Sequence, residues 1–89
     1  MEKLVYPKSY GERERLAKHI RQTLNVYNLR NNWLIQQLRN EGLIVSKTTM
    51  CDILAMRYSG PKMDEFLARA ERICTKYEQS CFAKAQSGN

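Results

Sequence analysis

Residues 46–54 read SKTTMCDIL, and this segment is the most informative part of the chain. Ser46 is a residue type that caps helices, because its hydroxyl can accept a hydrogen bond from a free backbone N–H. The apolar positions that follow share one face at helical spacing: Met50, Ile53 and Leu54. Lys47, Thr48 and Asp52 fall on the opposite face. The segment predicts a short helix that buries one stripe and presents polar side chains to a polar partner.

Outward from this segment, the chain predicts further helices and no strand longer than three residues. Ser9 followed by Glu12 is a capping box that starts a first helix, and Leu16, Ile20 and Leu24 form its inner stripe. After a turn at 25–28, a second helix runs over 31–41 and stops at Gly42. Asn31 and Asn32 open this helix, and the alternative for either is a simple N-cap. The third helix spans 47–56. Pro61 suits the first position of a fourth helix that ends near Lys84.

The expected fold is therefore a small all-α bundle of four to five helices. Residues 1–8 are predicted to be an N-terminal arm, 9–84 a single helical domain with a long last helix, and 85–89 a disordered tail. Trp33 is expected at the core or its edge. The distal part of the long helix, around Tyr77 and Cys81, either extends past the core as a dimer surface or packs back on its own domain.

Charge is unevenly distributed along the 89 residues. The chain holds 15 Lys and Arg against nine Asp and Glu, a net charge of +6. Residues 1–62 contain eleven basic and five acidic side chains, whereas residues 63–89 contain four of each. A clustered positive charge favours a phosphate polymer or an anionic lipid as partner. The alternative is a soluble surface that happens to be basic.

The remaining chemistry argues against an enzyme, a metal site and a cofactor. Cys51, Cys74 and Cys81 form no CxxC pair and lie far from the lone His19, so zinc is not expected. We expect reduced thiols in a cytoplasmic protein, with a Cys74–Cys81 redox switch as the minor alternative. No catalytic motif is present, although spacing leaves a His19–Cys51 dyad open. No apolar run reaches the ~20 residues that span a bilayer, and no signal peptide is evident.

Residues 16–74 resemble the helix-turn-helix domain of lambda repressor and Cro-like (XRE) regulators, in the form encoded by prophages of Gram-positive bacteria. That family follows a pattern close to I-R-(x)12-L-x-x-x-L, then a serine-led helix, then a basic loop. The matching positions are Ile20, Arg21, Leu34, Leu38, residues 46–50 with Ile53, and the loop over 57–62 (RYSGPK). One departure is clear. From Leu38 to Ser46 is eight positions, where the usual motif takes three, so the turn before the third helix is enlarged.

The resemblance implies roles for individual residues. Base contacts from the recognition helix would come from Lys47, Thr48, Thr49 and Asp52. Phosphate contacts would come from Asn31, Asn32, Ser46, Arg57, Tyr58 and Lys62. Weaker phosphate candidates are Arg13, Lys18 and Arg39. For most of these side chains the alternative is a solvated or partly packed position with no ligand.

Two functions follow as expectations. The first is a sequence-specific regulator of transcription, a phage or prophage repressor or Cro-like protein, that binds double-stranded DNA as a homodimer through its last helix. The second is a phage-encoded protein-interaction module, such as an anti-CRISPR protein or another inhibitor of a host factor, on the same scaffold. A membrane-surface or RNA-binding module is the third alternative and ranks last. A membrane-surface helix would need a broad apolar face opposite Lys and Arg, and single-strand RNA binding would need clustered exposed aromatics, and neither is evident.

Overall fold

The computed structural model describes residues 6–58, 60 and 62–87, with side chains up to residue 81. It contains four helices: α1 (Tyr10–Val26), α2 (Asn31–Asn40), α3 (Lys47–Leu54) and α4 (Lys62–Ser87). The described part of the chain contains no strand, and the predicted all-α bundle is confirmed. Pro61 and the first five residues of the predicted arm lie outside the described residues, as do the last two residues of the predicted tail.

The first helix begins where the capping box predicted. The hydroxyl of Ser9 accepts a hydrogen bond from the backbone N–H of Glu12 at 3.2 Å. The Glu12 carboxylate accepts from the N–H of Lys8 at 2.7 Å, one residue before the N-cap. Both side chains thus satisfy backbone donors at the start of α1. At its other end, Asn28 takes a positive φ of 54°, which turns the chain toward α2.

The ends of α2 and α3 differ in detail from the sequence prediction. The second helix opens at Asn31, as predicted, but Arg30 occupies its N-cap and makes no side-chain capping bond, so the alternative of a simple asparagine N-cap was wrong. Gly42 follows α2 with φ +96°, as expected for a helix stop. The third helix ends at Leu54, two residues before the predicted Met56, because Met56 adopts φ 63°. The N–H of Arg57 then bonds to the carbonyl of Asp52 at 2.8 Å.

The core lies where all four helices meet, and α4 forms its longest wall. Fully buried side chains come from each helix: Ile20, Leu34, Leu38, Met50, Ile53, Phe66, Leu67 and Cys74. The stripe predicted for the third helix is confirmed, since Met50 and Ile53 are fully buried and Leu54 nearly so. The molecule measures 45 × 24 × 23 Å, and a helix of 26 residues is about 39 Å long. The fourth helix therefore runs along almost the whole long axis.

The last helix also continues further than predicted, to Ser87 instead of Lys84. Its middle is anchored by an aromatic cluster of three rings. Tyr77 makes edge-to-face contacts with Tyr27 at 5.3 Å and with Trp33 at 5.2 Å between ring centroids. Trp33 is half-buried and packs against the core, as expected. Because Tyr77 is used within the chain, α4 packs on its own domain at least to this position.

Candidate nucleic-acid interface

The outer face of α3 carries the predicted base contacts. Lys47 and Thr48, the first two residues of the helix, are exposed, whereas Thr49 and Asp52 are half-buried. The Ser46 oxygen accepts from the backbone N–H of Thr49 at 3.1 Å and the Ser46 hydroxyl donates to the Thr49 hydroxyl at 2.9 Å. These hydrogen bonds explain why the helix starts at Lys47. Lys47 and Thr48 stay exposed at the N-terminal end of α3, which is the end that recognition helices commonly direct at bases.

Asp52 has a partner within the chain, which sequence spacing did not anticipate. Its carboxylate lies 3.5 Å from the guanidinium of Arg57, a side chain that is 72% exposed. The backbone carbonyl of Asp52 accepts from both Arg57 and Tyr58. Asp52 therefore connects the helix to the loop that follows it. A cytosine would have to compete with Arg57 for this carboxylate.

The start of α2 lies beside the middle of α3. The side-chain amide of Asn31 is 3.9 Å from the sulfur of Cys51, and Asn32 is exposed next to it. A cleft of about 400 Å³ opens between α1, α2 and α3 at this point. Its lining mixes leucines with polar side chains, the latter being Arg21, Asn25, Asn28 and Asn31. Asn31 thus shares one surface with α3, as a residue that contacts a phosphate beside a recognition helix must.

The loop after α3 is only partly available to a ligand. Arg57 is exposed, and Lys62 is exposed at the first residue of α4. Tyr58 is half-buried and packs against the core, with its ring over Gly60. A Cβ at Gly60 would lie 2.7 Å from the Tyr58 hydroxyl oxygen, so this glycine makes room for the ring. A phosphate contact from Tyr58 would have to use the exposed part of a side chain that the core already holds.

Ion pairs sort the basic residues into two groups. Arg13 donates to Asp64 of α4 at 2.7 Å, and this hydrogen bond holds the pKa of Asp64 below its usual value. Arg69 and Arg72 both reach Glu41, at 3.1 and 2.7 Å. The Arg13 guanidinium therefore binds Asp64 within the chain, and a phosphate would have to compete with that carboxylate. Within the described residues no carboxylate pairs with Lys18, Arg21, Arg39, Lys47 or Lys62.

The structure contradicts both cysteine alternatives, the His19–Cys51 dyad and the Cys74–Cys81 redox switch. Both ring nitrogens of His19 bond to carboxylates of α4, so His19 forms no dyad with Cys51. Burial raises the pKa of Cys74 to about 12, with the nearby Glu71 and Glu78 adding to the effect. Cys74 and Cys81 are seven residues apart on one helix, a rise of about 10 Å, beyond disulfide reach. No cluster of His, Cys, Asp or Glu in the described chain could hold a metal ion.

The sequence prediction missed Arg21, Asn25 and Asn28 as surface partners of α3. For Asn25 and Asn28 the only signal was the asparagine-rich segment 25–32 (NVYNLRNN), which holds the end of α1, a turn and the start of α2. Arg21 gave no signal of its own. No helix of the described chain is both long enough and apolar enough to cross a membrane. No protein family, curated protein or solved structure matches the chain at a significant level.

Proposed function

We propose that this chain is a sequence-specific regulator that binds double-stranded DNA, with α3 in the major groove. The observation that carries the proposal is the two-sided character of α3. Its inner stripe is fully buried, while Lys47 and Thr48 stand exposed at its first turn. An α-helix with side chains is about 10–12 Å wide and the major groove is about 12 Å wide.

In this proposal each exposed group has a chemical task. The Lys47 ammonium donates to guanine O6 and N7, and the Thr48 methyl group contacts a thymine methyl. Thr49 and Asp52 contribute less, because their polar groups already have partners within the chain. The phosphate contacts come from Asn31, Asn32, Ser46, Arg57, Tyr58 and Lys62. The net charge of +6 supports a surface that binds phosphates.

The assignment to a phage or prophage repressor or Cro-like protein rests on the resemblance of residues 16–74. So does the homodimer through α4. A dimer would read an inverted repeat, with each protomer on one half-site.

Selection of bound duplexes from a randomised pool tests the proposal directly. We expect enrichment of a defined sequence, and an affinity that falls steeply with added salt. Recovery of an inverted repeat supports the dimer. The proposal is contradicted if the purified chain enriches no sequence and, at low salt, binds random duplexes no more tightly than it binds an acidic polypeptide.

A second candidate function is a module that inhibits a host factor by protein contact. Two observations favour it. Arg57 already pairs with Asp52 on the α3 side of the molecule, and Ile44 in the enlarged connection to α3 is 67% exposed. An exposed isoleucine is a common element of protein interfaces, although single ones are ordinary on surfaces. If this function is correct, Ile44→Asp abolishes the binding of a purified host protein to the chain. Lys47→Ala then leaves the affinity of the chain for DNA unchanged.

A further inference from the structure

Four of the five basic residues of α1 divide between two sides of that helix, and the fifth is Arg15, which is exposed. Arg13 and His19 face the acidic residues of α4 and are paired with them. Lys18 and Arg21 are exposed, and no carboxylate in the described part of the chain pairs with either. Because they are three residues apart, they lie one turn apart on the same face. The chain therefore pairs the cations on one side of α1 and leaves two adjacent cations on the other. Glu14, one turn before Lys18 on that second side, is exposed and forms no ion pair with it.

This unneutralised side joins the surface around α3. Lys18 and Arg21 line an open depression of about 380 Å³ together with Gln22 and Asn25. Arg21 and Asn25 also line the cleft of about 400 Å³ that reaches Asn31 and Cys51. Since two residues belong to both depressions, the charges on α1 are continuous with the start of α2 and the side of α3. Guanidinium, ammonium and amide groups are the usual donors to phosphate oxygens.

We infer that Lys18 and Arg21 bind the phosphodiester backbone of the same DNA duplex that α3 contacts. This inference rests on the proposed function and extends it to α1. The occupant is a polymer strand, because the two depressions are open to solvent and run side by side across three helices. Arg21 shares the larger cleft with Asn31, whereas Lys18 does not line it. Arg21 therefore contacts the phosphate beside Asn31, and Lys18 contacts a phosphate further from α3.

The test is the salt dependence of binding to a mixed-sequence DNA duplex of about 30 base pairs. Each lost phosphate contact lowers the slope of log K against log salt by about 0.9. Arg21→Ala should lower the slope by that amount, and Lys18→Ala with Arg21→Ala by about twice as much. Arg21→Lys, which keeps the charge, should retain most of the slope. Arg15→Ala is the matched control, because Arg15 is an exposed arginine of the same helix that has no carboxylate partner in the described chain and lines neither depression.

The outcomes separate the two proposals. A slope that falls in Arg21→Ala but not in Arg15→Ala supports the inference. Equal slopes in the wild type and Arg21→Ala, or equal losses in Arg21→Ala and Arg15→Ala, overturn it and leave α3 binding intact. Should the wild-type chain show no salt-dependent binding of any duplex, the proposed function and this inference both fail. Unchanged thermal unfolding of each variant verifies that folding is not the cause.

Discussion

Nδ1 of His19 on α1 lies 2.7 Å from Oε2 of Glu71 on α4. Nε2 of the same ring lies 2.9 Å from Oε1 of Glu78, two helical turns further along α4. An ionised carboxylate can only accept hydrogen bonds, so both ring nitrogens must donate. Only the protonated imidazole does this. The contact between α1 and the middle of α4 is therefore strongest when His19 is charged.

The first prediction is that stability depends on pH through this residue. Partial burial lowers the pKa of His19, but the two glutamates outweigh burial and raise the pKa above its ordinary value of 6.5. A raised folded pKa means that the stabilisation is complete below about pH 6.5 and is lost as pH rises through the folded pKa. Because the His19 side chain is 34% exposed, its charge contributes at most about 1 kcal/mol to the free energy of unfolding.

Urea unfolding of the wild type and His19→Gln between pH 5.5 and pH 9 measures this effect. The wild type should be the more stable at the acidic end, and the difference should shrink toward the alkaline end. A difference that stays constant with pH would mean that His19 acts by packing alone.

The second prediction concerns base recognition by α3. Lys47→Ala should change which duplex is preferred, with a loss of about 1–3 kcal/mol at one base pair, because a donor to guanine is removed. Competition binding with the selected duplex and its single-base variants measures this loss. Gln36→Ala is a suitable control, since Gln36 is exposed on α2 outside the α3 face. Unchanged preference in Lys47→Ala would exclude α3 as the recognition helix.

The third prediction concerns the loop after α3. Arg57→Ala should weaken all duplexes about equally, because it removes a cation and leaves the Asp52 carboxylate unpaired near the phosphates. Combining Arg57→Ala with Asp52→Asn should restore part of the affinity, since the repelling charge is then removed as well. Filter binding to two unrelated duplexes measures both effects. If the double variant binds more weakly than Arg57→Ala, Asp52 is itself a DNA contact.

The fourth prediction separates helix capping from binding. Ser46→Ala removes the acceptor for the Thr49 N–H, and Ser9→Ala removes the acceptor for the Glu12 N–H. Each substitution should cost about 1 kcal/mol of stability. Only Ser46→Ala should reduce DNA affinity, because Ser46 both caps α3 and is a proposed phosphate contact, whereas Ser9 has neither role. Chemical denaturation and binding assays on the two variants make the comparison, and equal binding by both would contradict both roles of Ser46.

The fifth prediction concerns the turn before α3. Gly42 has φ +96°, and nothing lies within 4 Å of the position that a Cβ would occupy. Gly42→Ala should therefore cost about 1–2 kcal/mol from backbone strain alone. Gly11→Ala, at an ordinary helical position whose new Cβ would come no closer than 3.9 Å to the Ser9 hydroxyl, should be neutral or slightly stabilising. Equal melting temperatures for the two variants would contradict the strained turn.

Much of the fold was predictable because its signals are local. The serine caps of α1 and α3 each act over three residues, and the buried stripes repeat within a few turns. The end of α3 was not predictable, because the positive φ falls on Met56, a residue type that gives no signal for it. Of the candidate site, the exposure of Lys47 and Thr48 followed from helical spacing. The partner of Asp52 did not, since it depends on how the loop leaves the helix.

The sequence by itself determined the helical class, the helix starts at Ser9 and Ser46, and the apolar face of α3. These features follow from hydrogen bonds and periodicity within one or two turns. Only the tertiary structure decided which cations are neutralised. Arg13 meets Asp64 across 51 positions in sequence, and His19 meets Glu71 across 52. Ion pairs at such separations depend on which face of α1 packs against α4, and that packing leaves Lys18 and Arg21 beside α3.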